Sequence, residues 1–126
     1  MKRFGLSIAV ALALTGAAAA QDYPTRAINI IVPFAAGGPT DTVARLLGQA
    51  MGKSLGQTMV VENIGGAGGT LGAAKAAAAR NDGYVIFLHH IGHATSATLY
   101  RKLPYDTIGD FEPIGQVVDV PMTLVS

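Results

Sequence analysis

The chain has 126 residues, with nine basic against eight acidic side chains, three histidines and no cysteine. That length accommodates one small hydrophobic core. The near-neutral balance, with no basic run and no interleaved aromatics, argues against a nucleic-acid partner. The missing cysteines exclude disulfides and a lipid-carrying cysteine.

The first twenty residues read as an export signal. Lys2 and Arg3 give a positive start, Phe4 to Leu14 an apolar run, and Ala18-Ala19-Ala20 the small residues of a cleavage site. A membrane anchor is the alternative, but the run is short for a span and no second one follows it. Without Lys2 and Arg3, the basic residues fall from nine to seven against eight acidic ones, a charge near −1. The expectation is an exported, periplasmic protein with no membrane insertion after cleavage.

Gln21 to Arg26 is a polar lead-in. Ala27 to Val32 is then apolar and rich in β-branched residues, as strands covered on both faces are. Val43, Leu46, Leu47, Ala50 and Met51 recur at helical spacing, with Gly52 and Gly56 weakening and ending that helix. Met59 to Val61 is a second strand. Gly65 to Gly69 holds too much glycine for a regular element. Thr70 to Arg80 is mostly alanine, a strong helix former, and its small side chains permit close packing on a sheet. Asn81-Asp82-Gly83 turns the chain into a third strand, Tyr84 to Leu88. A short helix is expected over Thr95 to Tyr100, a proline-framed loop from Pro104 to Pro113, and a fourth strand over Ile114 to Val120. Strand and helix alternate with short connections, which predicts an α/β fold on a mostly parallel sheet with right-handed crossovers.

Two glycine corners stand where a strand hands over to a helix. The first is IVPFAAGGPTD, residues 31–41. In open parallel sheets ligands bind at the carboxyl ends of strands, and a helix start offers unpaired N–H groups that favour an anion. Gly37 and Gly38 let a ligand approach the main chain, and Pro39 suits the first helical position. Asp41 complicates an anion site, because its carboxylate repels another; it points away, holds a water or meets an ammonium group. A tight turn with a good helix start, and nothing more, is the plain alternative.

Known nucleotide motifs are only imitated. Gly48 to Ser54 ends in GKS, but three residues separate its glycines where a phosphate loop needs four, and it lies inside the helical pattern. Gly66 to Gly72 has one residue too many for the dinucleotide fingerprint, and no acid follows at the right distance. No cofactor is expected. His89, His90 and His93 form HHIGH at the end of the third strand. Strand alternation sends His89 and His90 to opposite faces, so one imidazole lining a cleft is a better reading than a metal site. Ser96, Thr95 and Thr98 lie near these histidines, but no nucleophile is set against a base with an orienting partner.

The blocks YPTRAINIIVPFAAGGPTDTVARLL, VVENIGGAGGTLGAAKAAAARNDGYVIFL and LYRKLPYDTIGDFEPIGQV cover nearly everything from Tyr23 to Val118. In order and length they resemble the substrate-binding proteins of tripartite tricarboxylate transporters, the TctC-like or Bordetella uptake gene (Bug) family. The resemblance implies a non-enzymatic periplasmic-binding-protein-like fold of type II, with two α/β lobes closing on a small organic carboxylate for delivery to membrane transporter subunits. It implies that main-chain groups and water hold the carboxylate at the loop after the first strand. Here that loop carries Phe34, Ala35, Ala36, Gly37, Gly38, Thr40 and Asp41. Gly65, Gly66, Ala67, Gly68 and Gly69 form the neighbouring wall, with His89 and His90 at the strand end. HHIGHATSA departs from the small and polar residues usual there, which points to a different ligand or to one carrying an extra acidic group. Family members are much longer. The expected division is therefore a signal peptide over 1–20, the amino-terminal part of the first lobe over 21–120, and the start of a crossover strand over 121–126 towards a second lobe not in this chain. Other classes remain open at this level. A secreted α/β enzyme would show turnover depending on His89 or His90, and a ligand sensor would have a signalling partner in place of a transporter.

Overall fold

The computed structural model describes residues 22–119. The leader expected at 1–20 and the closing strand at 121–126 lie outside the described residues. The elements follow the order β1 (Ile28–Val32), α1 (Pro39–Leu55), β2 (Met59–Asn63), a 3-10 turn (Ala67–Gly69), α2 (Thr70–Ala77), β3 (Val85–Phe87) and α3 (Gly92–Leu99).

β1 is the central strand of a parallel sheet ordered β2-β1-β3, with Ile30 opposite Val61 on one side and Ile86 on the other. Ile28, Ile30 and Val32 are wholly buried and Ile31 nearly so. Being flanked on both edges and covered on both faces explains the unbroken apolar run. Burying each such side chain contributes roughly 1.5–3 kcal/mol, so a charge at Ile30 would break the sheet at its centre. Ile30 and Val32 pack on Ala44 of α1, with Phe34, Met59, Val61 and Leu88 around them. Ile31 points to the other face by strand alternation. The chain crosses one way through α1 and back through α2, and right-handed crossovers in opposite directions place the two helices on opposite faces.

Glycine sets how closely the helices approach. A Cβ on Gly72 of α2 would lie 2.8 Å from Pro33 Cβ and 2.9 Å from the Ile64 carbonyl oxygen. A Cβ on Gly48 of α1 would lie 3.2 Å from Met59 Cβ. α1 ends at Gly56, whose left-handed φ of 67° is the usual glycine helix stop.

Three expectations need correction. α2 stops at Ala77 and does not run on to Arg80, because the chain turns there into the bend that enters β3. α3 starts earlier than expected, at Gly92. Residues 114–119, the described part of the expected fourth strand, form no strand. Ile114 is 84% exposed, and among the described residues no strand pairs with this run. An apolar run becomes a strand only where a ladder accepts it.

Candidate functional site

All three strands point their carboxyl ends to one edge of the sheet, and there the two glycine corners meet. Ladder-like bonds carry the pairing past the strand ends, from Ile64 N–H to Val32 O (2.8 Å) and from Leu88 N–H to Ile31 O (3.0 Å). A Cβ on Gly65 would stand 3.8 Å from Ala35 N, so the second corner lies directly against the backbone of the first.

The first corner is set by conformation as well as by access. Gly37 has φ +83°, in the region that side chains disfavour, and a Cβ there would have nothing within 4 Å. Gly38 is extended at φ −79° and caps α1 without a side-chain bond, with Pro39 first in the helix. Gly38 N–H reaches Ala35 O at 3.4 Å. Ala35 and Ala36 are exposed, and among the described residues their amides donate to no acceptor.

Asp41 lies in the first turn of α1 and is 2% exposed. Its Oδ2 accepts from Gly37 N–H (2.8 Å) and Arg45 Nε (2.9 Å), and its Oδ1 accepts from Asn63 Nδ2 (3.0 Å). The Asn63 amide also donates to Phe34 O at 3.1 Å. The Arg45 hydrogen bond, then the Gly37 amide and Asn63, hold the Asp41 carboxyl well below the usual carboxylate range against the cost of burial. The same contact raises the Arg45 guanidinium. Asp41 thus turns inward on its own loop. Thr40, beside it, is half-buried.

The second corner is a strained turn. Gly66 (φ 124°), Ala67 (φ 47°), Gly68 (φ 64°) and Gly69 (φ 95°) all have positive φ. Ala67 is the one non-glycine among them, and its carbonyl accepts from Thr70 Oγ1 (2.9 Å) and Tyr100 Oη (2.8 Å). Gly65, Gly66, Ala67 and Gly68 are exposed, whereas Gly69 is buried, with Pro33 on one side and His89 Nε2 2.8 Å from its Cβ position.

The histidines enter an aromatic cluster. His90 is exposed and stacks on Phe34, with centroids 4.6 Å apart. His89 meets Phe34 and Phe87 edge-on. Burial, helped by the neighbouring His90 and His93 and opposed by a backbone hydrogen bond, pushes His89 down to about 4, so it is neutral at pH 7. Gly92 N–H donates to His90 Nδ1 at 3.0 Å. His93 packs between Phe87, Tyr105 and Phe111 and against His89, with Nε2 3.1 Å from Thr107 O. Among the described residues no three His, Asp or Glu side chains converge as a metal set. Ser96 Oγ donates to His93 O within its own helix. Asp106 accepts from Ile108 and Gly109 N–H, which holds the loop turn and lowers its carboxyl.

Of the residues expected at the site, the structure gathers Phe34 to Gly38, Gly65 to Gly69, His89 and His90 around one edge. Arg45, Asn63 and Tyr100, which organise that edge, carried no local signal of it, save that Asp41 and Arg45 stand four apart on one helix.

A family model described as tripartite tricarboxylate transporter family receptor matches residues 43–126. The chain is 54% identical over 124 residues to a UPF0065 protein of Agrobacterium vitis, covering 98% of this chain and 36% of that protein. It is 40% identical over 131 residues to Protein BugT of Bordetella pertussis, covering 100% of this chain and 40% of BugT. The chain thus spans well under half the length of these relatives. Among solved structures it is similar to the periplasmic binding protein BugD (55% identity, TM-score 0.71), over 74% of this chain and 31% of that one. It is also similar to MatC of Rhodopseudomonas palustris with bound malate (45% identity, TM-score 0.72), over 75% and 33%. A third similar structure is an R. palustris protein with adipate (37% identity, TM-score 0.64), over 68% and 29%.

Proposed function

This chain belongs to the tripartite tricarboxylate transporter receptor family, and on that premise we propose that its paired glycine corners form one wall of a cleft that captures a small organic carboxylate outside the inner membrane. The observation that carries the reading is the pair of exposed residues Ala35 and Ala36, whose amides meet no acceptor among the described residues, beside the start of α1. Two N–H donors and the positive end of a helix suit a carboxylate, directly or through water. Malate and adipate in two similar structures support that ligand class. The family is one of receptors, and the role here is binding without chemistry. Export by a cleaved leader at 1–20 and delivery to transporter subunits belong to the same proposal. Among the described residues no helix is long and apolar enough to cross a membrane. The opposite wall would come from a second lobe.

Calorimetry on the intact protein tests this with malate, adipate and other mono- to tricarboxylates. Binding of one acid, weakened by Gly38→Val in a folded variant, is the expected result. Unchanged affinity in that variant would remove the site from this corner.

A further inference from the structure

We infer that Asp41 and Arg45 are paired positioning residues: the Asp41 carboxylate latches the Phe34–Gly38 loop, and the Arg45 guanidinium shields a bound anion from that carboxylate. The inference deepens the proposed carboxylate site and rests on it.

A carboxylate in the first turn of a helix ordinarily serves the helix. Asp41 reaches further, to the amide of Gly37, which precedes the cap residue Gly38. Its second oxygen takes Asn63, whose amide also holds Phe34 O. Buried Asp41 at the Gly37 end and half-buried Asn63 at the Phe34 end therefore tie both ends of the loop to the end of β2. With Gly37 N–H spent on Asp41, the donors left for a ligand are those of Ala35 and Ala36.

The latch creates an electrostatic difficulty, since a negative charge one residue-length behind an anion site opposes binding. Arg45, one turn along α1, places Nε 2.9 Å from the same oxygen that Gly37 uses. Its side chain is 56% exposed and lies along the surface, where it neutralises the carboxylate without entering the loop. The Asp41 carboxylate thus faces its own loop, with Gly37, Arg45 and Asn63 as its donors.

The test uses the intact protein, malate and adipate as probes, and amide exchange followed by NMR. Arg45→Met should weaken binding about tenfold, more at low salt than at high salt. Asp41→Asn combined with Arg45→Met should recover part of that loss, since no charge remains and the amide oxygen still accepts from Gly37, although its NH2 gives up the Asn63 contact. Equal losses in the single and double variants would overturn the shield. Asp41→Ala should accelerate exchange at Gly37 about tenfold while Ile30 keeps its protection; an unchanged Gly37 would overturn the latch. An intact protein that binds neither probe nor any related acid would remove the carboxylate reading and the shield together, whereas the Gly37 exchange result judges the latch alone.

Discussion

The imidazole of His90 lies nearly parallel to the ring of Phe34, 13° apart with centroids separated by 4.6 Å. It joins the end of β3 to the loop that follows β1, so the position of Phe34 depends on a residue more than fifty places further along. Offset aromatic pairs contribute roughly 0.5–1.5 kcal/mol beyond their burial. His90→Ala should therefore lower the urea-unfolding free energy by about 1 kcal/mol and loosen the first corner. His90→Phe should restore the stability, which denaturant titration of both variants would show; equal losses would mean the stack contributes nothing.

His89 gives the fold an acid-sensitive element. Its pKa falls from 6.5 to about 4 in the folded state, chiefly by burial. The unfolded chain then binds the proton first as pH drops. The stability that neutral His89 provides is full above about 6.5 and is lost as pH falls towards 4. His89→Phe should flatten that part of the pH–stability profile, measured by unfolding midpoints at half-unit steps. A profile as steep as the wild type's would assign the slope to other groups.

Asp41 behaves in the opposite region. Its depressed pKa means that its contribution stands above the normal carboxylate value of 3.8 and is lost only below it. The Gly37 amide should keep its exchange protection, corrected for intrinsic rate, from pH 5 to pH 8. A loss within that range would show that the carboxylate protonates earlier than its three donors permit.

Glycine positions separate packing from conformation. Gly72→Ala should destabilise by about 1–3 kcal/mol, since its Cβ meets Pro33 and the Ile64 backbone at under 3 Å and neither can withdraw freely. Gly37→Ala meets no atom within 4 Å, so its cost should be the left-handed backbone alone, about 1–2 kcal/mol. Gly115→Ala should stay within about 0.5 kcal/mol, having open space and an ordinary φ. Thermal melts of the three variants rank them directly.

The sheet was legible where the sequence carried its own periodicity. β1 reads as an apolar run because it is enclosed on every side, and Gly56 stops α1 by a backbone preference that acts locally. Both glycine corners were legible as strand-to-helix hand-overs, their neighbourhood was implied by the family resemblance, and the parallel order β2-β1-β3 brings them to the same edge. What sequence spacing does not show is where a side chain turns. In the sequence Asp41 was compatible with pointing away, holding a water or meeting an ammonium group; in the fold its carboxylate bonds to Gly37, Arg45 and Asn63, the last brought alongside by the β1–β2 register. Residues 114–119, the described part of the strand expected over Ile114 to Val120, formed none for the converse reason, because hydrophobicity without a neighbouring ladder fixes no extended pairing.

The polar lead-in is stitched to the turn before β3: Tyr23 Oη donates to Gly83 O, Arg26 pairs with Asp82, and the Arg26 guanidinium sits 3.7 Å over the Tyr84 ring. Together with the order β2-β1-β3, this makes the earliest-synthesised strand the one enclosed last. During synthesis, Ile28 to Val32 leaves the ribosome long before its second flank exists, an open adhesive edge for most of that interval. Assembly of this sheet is thus a late, long-range closure around its central strand, a topology that favours slow folding.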